Sequence, residues 1–477
     1  MSNAVLLWAL TALLCLAFAA ISLKAKNKAS VSFSSYAIGN GSFPFLLLFF
    51  TYFATIMGAG NFFGHAGSAY ENGLPWLAYI FGEQGAKLLF ALVFAGMAGA
   101  FTYNTLPQML DDLVVRDKVS RGIAALLIVV LLVAMVGGQS KALGQIFAQF
   151  TGADPRPIMI VFSAVFIIFT CCGGIYSVVW NDLFQGVLCC VFAIVFYAFA
   201  FSKVDFSFTM LGQRLAEVGR GELWSFDSVS GLNLFNKFFT GLIGILVSQV
   251  IWQRCYSSKT SKEAKNSLFL SGVICIVFTM LTAFVGLIIV TLNQGLDANT
   301  AMSWFMANAM PKALAVILFL LVLCAGMSTA DSALNSCAVV IVNDIVKPLF
   351  PALGDRHMVA CARLVTVVVG VASCLAGIYS DSIYSLIAGS NTLAASALAP
   401  LVCIGLFWKK VRGGHQMGVS NSFVTPWGAR ASLVCGFFAA IFPIFGDMVT
   451  VWAVFVGSVV LVVVSLLTGK RGEASGG

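Results

Sequence analysis

The sequence predicts an all-α polytopic membrane protein of about thirteen transmembrane helices, and three observations lead there. Apolar residues make up 60% of the 477 and charged residues only 10%, for a mean hydropathy of +0.97. The apolar runs, divided at charged or Pro/Gly-rich breaks, each approach the ~20 residues that a helix needs to cross ~30 Å of hydrocarbon. Strand-like alternation is absent, and in lipid only helices or closed barrels satisfy their own backbone.

Numbered from zero, the predicted helices lie near 4–22, 43–69, 75–102, 121–149, 157–174, 178–202, 234–253, 267–292, 312–342, 361–379, 384–407, 430–446 and 449–468. The first is read as a retained span. A cleaved signal has its positive charge before the apolar core, whereas here Lys24, Lys26 and Lys28 follow it. The formal charge of +8 would suggest nucleic acid in a soluble chain, but the cations fall in particular loops and report orientation instead. With the N-terminus outside and the C-terminus inside, most of the 27 Lys and Arg lie on inner segments, among them Arg116, Lys118, Arg121, Arg254, Lys259, Lys347, Arg363, Lys409, Arg412, Arg430, Lys470 and Arg471. The compact chain, without an appended soluble domain, and these basic inner loops point to a bacterial inner membrane. Thirteen cysteines and three histidines show no CxxC, HExxH, Walker or GxSxG pattern, so no catalytic set is readable and no enzyme is expected.

Two polar clusters interrupt the hydrocarbon. The 43–69 helix carries Ala54-Thr55-Ile56-Met57-Gly58-Ala59-Gly60-Asn61 at its centre, where two glycines and an Asn weaken the helical ladder and predict unwinding. The 312–342 helix places Ala325, Ser328, Thr329, Ser332 and Ser336 at i, i+3, i+4, i+7 and i+11, one stripe of small, mostly oxygen-bearing residues. Polar groups at membrane depth mark sites, and a monovalent cation takes several oxygens. Five helices after the first break, Gly241, Gly244, Ser248 and Gln249 weaken the 234–253 helix similarly. Interrupted spans at matching positions predict inverted repeats around a midplane site, with helices 1 and 6 broken. The boundaries follow: 1–42 an extra helix and inner loop, 43–407 the core with repeats 43–202 and 234–407 joined by outer loop 203–233, and 408–477 two further helices and a short inner tail.

Three stretches resemble the sodium:solute symporter family, the carriers of sugars, proline, pantothenate, sialate and choline. They are Gly173-Gly174 through Trp180-Asn181-Asp182 to Gln185, then Gln253-Arg254 with Ser257-Ser258-Lys259 and Ala264-Lys265, and Met327-Ser328-Thr329-Ala330-Asp331-Ser332. The resemblance implies a five-plus-five, LeuT-type core and Na⁺ as coupling ion, with no organic cofactor. It implies a sodium site of the carbonyls of Ala54, Met57 and Ala325 with the hydroxyls of Ser328 and Thr329. It also implies a possible second one from Asp182, Ser328 and Ser332 with Asp331 as an extra carboxylate. As alternatives, Asp182 is a helix-end carboxylate that caps or pairs with a basic loop, and Asp331 takes a hydrogen bond from Asn335 at i+4. Glu83 and Lys87, also i and i+4, are expected to pair with each other.

A serine-glutamine stretch, Ser248-Gln249, stands where the family's sugar carriers have Asn, and Ile80 stands near their acidic residue, so a hexose is disfavoured. Thr55, Gly58, Asn61, Gln139, Gln249 and Trp252 are the expected lining for a small solute, an amino acid, organic acid or amine such as proline, pantothenate or a choline-like molecule, with Trp252 as an aromatic wall. The partners expected are that solute and the bilayer, with no nucleic acid and no obligatory protein. Rival readings are H⁺ coupling, a channel, and a membrane sensor with the same fold.

Overall fold

Helices account for nearly all of the computed structural model, which describes residues 3–380, 383–410, 414–442, 446 and 448–473, the side chains at 3–4, 383–388 and 470–473 excepted. Arg412, the side chains of Lys470 and Arg471, residues 443–445 of the expected 430–446 helix and residue 447 after it lie outside the described residues. The main helices are α1 (Asn3–Ala29), α2 (Phe45–Ile56), α3 (Ala59–Asn72), α4 (Trp76–Phe90), α5 (Lys118–Thr151), α6 (Pro155–Ser202), α7 (Gly231–Leu246), α8 (Gln249–Tyr256), α9 (Ser261–Leu292), α10 (Lys312–Val340), α11 (Asp355–Tyr379), α12 (Ile383–Pro400), α13 (Pro426–Ile441) and α14 (Val449–Glu473). Among the described residues, nine helices are long and apolar enough to cross a membrane, ten when α2 and α3, bent by 45°, count as one span.

Three departures from the expected elements have local causes. The spans expected at 157–174 and 178–202 are one 48-residue helix, α6, whose direction changes at Gly174 (φ 50, ψ −141). That φ favours glycine, and a Cβ there would also meet Tyr36 at 2.7 Å. Gly241 and Gly244, expected to loosen the 234–253 helix, are helical and serve close packing instead. A Cβ at Gly241 would lie 2.5 Å from the Tyr79 carbonyl oxygen, and one at Gly244 would meet Asn391. The interruption comes later, at Val247 and the extended Ser248, which precedes α8.

Polar contacts tie the helix ends into two sets. At one end Arg363 donates to Ser30 Oγ (2.8 Å), Arg121 pairs with Asp344 (2.8 Å), Arg430 clasps Asp117 with two nitrogens (2.8 and 2.6 Å), and Lys259 N–H donates to the Phe43 carbonyl. At the other, Lys237 donates to Asn72, Tyr70 to the Asn293 carbonyl, and Leu74 N–H to the Leu223 carbonyl. Each contact of the first set joins two segments expected inside, and each of the second joins two expected outside. Helix α1 packs on α6, where the Ser22 and Ser177 hydroxyls touch and Asn181 donates to Ser22 Oγ at 3.2 Å.

Helix α4 meets α7 backbone to backbone, because a Cβ on Gly82 would stand 1.9 Å from the Phe238 carbonyl oxygen. Gly82→Ala must push the two helices apart and is expected to cost about 1–3 kcal/mol, read as a lower melting temperature of the purified protein. Gly85→Ala, one turn away with open space around its Cβ, is the control, expected to be neutral or slightly stabilising through helix propensity.

Candidate cation and solute site

The ladder of α2 stops at Met57 (φ −79, ψ 35), whose N–H still reaches the Phe53 carbonyl, and Gly58 (φ −62, ψ 168) starts α3 on a new axis. Neither the Ala54 nor the Met57 carbonyl accepts a backbone N–H across this break, so both remain available to a ligand. Two other helices brace the gap. The Thr329 hydroxyl of α10 lies 2.8 Å from the Thr55 carbonyl oxygen and 3.1 Å from that of Ala325, and Gly60 N–H donates to Gln139 Oε1 of α5 at 3.2 Å. The fit is close: a Cβ on Gly58 would fall 2.2 Å from Thr329 Oγ1. Ala54, Met57, Ala325, Ser328 and Thr329 are all buried around this junction. The donors they offer are neutral oxygens, which suit a hard monovalent ion.

Beside that junction stands a fixed cation that sequence reasoning had placed in an inner loop. Arg254, at the end of α8 and 1% exposed, donates from Nε to Thr51 Oγ1 (3.0 Å), from Nη1 to the Val250 carbonyl (3.1 Å), and from Nη2 to Thr55 Oγ1 and Ser332 Oγ (2.6 Å each). Its Nη2 also pairs with Asp182 at 3.5 Å. Asp182 accepts from Ser328 Oγ at 2.5 Å and from the Thr51 hydroxyl. The structure therefore brings Asp182, Ser328 and Ser332 together, but with a guanidinium among them. Asp182 is interior, not a helix-end cap.

Asp331 is not part of this group. Ser332 follows it by ~100° around α10, and Asp331 turns instead to Thr170 of α6 (3.5 Å), leaving its Oδ2 without a partner among the described residues. The expected bond from Asn335 is not made, and both amide atoms of Asn335 are unpartnered as well.

A cavity of about 170 Å³ opens at the break. Thr55, Gly58, Asn61 and Gln139 line it with Thr329, and so do Ser248, His65, Trp76, Tyr79, Glu83 and Lys87. Gln249 and Trp252 do not. Gln249 Oε1 accepts from Leu106 N–H at 2.7 Å, and Trp252 is a packing anchor whose Nε1 donates to the Leu246 carbonyl (2.9 Å) while Phe90 and Phe94 meet its ring edge-on. They lie on the face of α8 away from the cavity, which Val250 and Ile251 between them line. The expected Glu83–Lys87 pair is also absent: Glu83 Oε2 lies 3.1 Å from His65 Nε2, and the Lys87 ammonium donates to Gln84 Oε1. Beyond Trp76 a second cavity of about 350 Å³ is lined by Glu71, Asn72, Lys237 and Asn299. Thr51, His65, Trp76 and Tyr79 were not expected at the site, Ser248 was expected only as part of the weakened 234–253 helix, and Arg254 only as an inner charge within a stretch that carries the resemblance. The available signals were Ser248 itself and His65, a rare histidine four residues past Asn61, the end of the weakened stretch.

The described residues thus form a bundle of apolar helices in which one pair is bent by 45°, with neutral oxygens at the bend and a cavity beside them. The chain belongs to the sodium:solute symporter family, whose model matches residues 36–418, and it is a transporter, not an enzyme. It is 24% identical over 438 residues to the sodium/sialic acid symporter SiaT of Proteus mirabilis, covering 86% of this chain and 87% of that one. It is 24% identical to the high-affinity choline transporter 1 of Drosophila melanogaster (76% of this chain, 60% of that one) and 26% identical to the human sodium-coupled monocarboxylate transporter 1 (61% and 48%). Its fold matches the substrate-bound outward-open structure of a Na⁺-coupled sialic acid symporter with a TM-score of 0.80 at 18% identity, over 97% of this chain and 98% of that one. Mhp1, a nucleobase-cation-symport-1 family transporter, matches at 0.61 and 14% identity over 91% and 95%.

Removing one member of the buried Arg254–Asp182 pair strands the other. Arg254→Gln or Asp182→Asn is expected to cost about 3–5 kcal/mol, and the double variant less than the sum of the two, measured by thermal denaturation in detergent. Additive losses would mean that the two charges do not act on each other.

Proposed function

We propose that this protein is a Na⁺-coupled symporter that carries a small organic solute into the cell, with the N-terminus outside and the C-terminus inside. The observation that carries the reading is that Thr55, Gly58 and Thr329 belong at once to the oxygen-lined break and to the wall of the cavity. An ion bound by the carbonyls of Ala54, Met57 and Ala325 and the hydroxyls of Ser328 and Thr329 holds α2 against α10 in the shape that the solute needs, so each ligand favours the other. The hydroxyl protons of Ser328 and Thr329 point to Asp182 and to carbonyl oxygens, which leaves their lone pairs for the ion.

The same reading takes the chain as thirteen spans in an inverted-repeat, LeuT-type core. The ten apolar spans become eleven when α6 is divided at Gly174 and thirteen with the shorter Gly389–Gly405 and Pro426–Ile441 helices. Counting α2/α3 and α7/α8 as the first helices of the two repeats puts both interruptions beside the cavity. The end of the bundle that gathers Arg121, Lys259, Arg363 and Arg430 is taken as the inner one. The 350 Å³ cavity beyond Trp76 then serves as the outer approach. A bacterial inner membrane is the proposed location.

Arg254 bears on stoichiometry. Its guanidinium already provides the positive charge between Asp182, Ser332 and Thr55, so one Na⁺ is carried per solute. One charge moving through 100 mV gains ~2.3 kcal/mol, roughly fiftyfold accumulation.

Uptake into proteoliposomes tests this. A Na⁺ gradient is expected to drive accumulation with a Hill coefficient for Na⁺ near one, and uptake driven equally by a pH gradient without Na⁺ would overturn the choice of ion. Ser328→Ala and Thr329→Ala each delete one oxygen ligand and are expected to raise the half-saturating Na⁺ concentration about 5- to 30-fold. Unchanged Na⁺ dependence with lower protein yield would return both residues to packing.

A further inference from the structure

We infer that the cavity selects a zwitterion, an α-amino acid with an apolar side chain, through a fixed anion at Glu83 and a fixed cation at Lys87 on one face of α4. The inference rests on the solute-carrying role proposed above and gives its substrate class.

Charged side chains inside a membrane protein are costly and persist where they have work to do. Glu83 and Lys87 stand one turn apart and both line the cavity, with Cβ atoms ~6 Å apart by helix geometry. They do not neutralise each other directly. The Gln84 amide lies between them, donating from Nε2 to Glu83 Oε2 at 2.8 Å and accepting from the Lys87 ammonium. Lys87 is 1% exposed, and no carboxylate lies within ion-pair distance of it among the described residues. An ammonium has three protons to donate, so two remain for a ligand.

The state of His65 leaves the anion in place. Trp76 Nε1–H can only donate, and its bond to His65 Nδ1 at 3.1 Å makes that nitrogen an acceptor. The ring proton is therefore on Nε2, which donates to Glu83 Oε2 at 3.1 Å. His65 is thus a neutral imidazole that orients Glu83 without cancelling its charge. Both of these donors, His65 and Gln84, reach Oε2, so Oε1 is left to face the cavity, where the Glu83 side chain is 24% exposed. Asn61 Oδ1, also in the cavity wall, has no partner among the described residues and offers a second acceptor for an ammonium.

Only one charge pattern answers both groups. A net anion meets Glu83, a net cation meets Lys87, and a neutral solute leaves the Lys87 protons unmet. A zwitterion gives its carboxylate to Lys87 and its ammonium to Glu83 and Asn61. The rest of the wall suits an apolar side chain: Trp76 and Tyr79 are stacked at 4.7 Å, and Met135, Ile245 and Ile251 complete it. At about 170 Å³ the cavity is below the ~300 Å³ at which sites begin to take drug-sized ligands.

The test is a thermal-shift titration of the purified full-length protein in saturating Na⁺ with the neutral α-amino acids, each beside its deaminated acid and its decarboxylated amine. L-Leucine, 4-methylpentanoate and isopentylamine form one such trio. At least one amino acid is expected to stabilise the protein, with its acid and amine each about 10- to 100-fold weaker. Lys87→Met is expected to move preference toward the amine, and Glu83→Gln toward the acid. Stabilisation by Na⁺ alone shows that each variant is folded with its ion site intact. If an acid or an amine binds as well as its amino acid, or no zwitterion binds at all, the inference falls. Absence of Na⁺ stabilisation in the wild type, with a zwitterion still bound, would sink the ion coupling and leave the zwitterion site standing.

Discussion

Hydrocarbon allows no unpaired backbone, and the break between α2 and α3 exists only because other helices answer for it. Thr329 covers the Thr55 carbonyl from α10, and Gln139 takes the Gly60 N–H from α5. These bonds fix where α10 and α5 stand relative to the break, and they explain why Gly58 has no side chain, since Thr329 occupies that space. What the braces do not consume, the Ala54 and Met57 carbonyls, is what an ion can use. The site is the remainder of a backbone accounting problem.

Around that remainder the charges are arranged by the same economy. Asp182 in the interior of α6 would be untenable alone, and Arg254 meets it with a guanidinium whose other donors go to Thr51, Thr55 and Ser332. The knot joins four elements, α2, α6, α8 and α10, at the depth of the break. Gln253, one residue before, adds a link from α8 to Ser336 of α10 (2.5 Å) and to the Ala37 carbonyl (2.6 Å). These bonds hold the short helix that follows the interruption at Ser248.

What was legible in the sequence was whatever is local. Hydropathy places helices because each must satisfy its own backbone, and the stripe of Ser328, Thr329 and Ser332 is read from spacing on one helix. Gly58 and Gly60 marked the weak stretch, and the interruption falls at Met57–Gly58. What was not legible depends on distant partners. Arg254 at a helix end reads as a topological charge, and nothing nearby announces Asp182, 72 residues away, or Thr51, 203 away. Glu83 and Lys87 satisfy the i, i+4 rule, yet His65 and Gln84 take their bonds because the low dielectric rewards any well-placed donor. Gly241 and Gly244 looked like a hinge and proved to be contact surfaces, a distinction that rests wholly on Tyr79 and Asn391 on other helices.

Coupling between ion and solute needs no long pathway here. The residues that would hold the ion and those that line the cavity overlap at Thr55, Gly58 and Thr329, so a change in one site is a change in the other. The size of that coupling is bounded by how differently the ion binds when the break is open or closed, since a ligand shifts an equilibrium only by its differential affinity. Arg254 sets the other bound. A cation fixed to the chain beside Asp182 cannot leave with the solute.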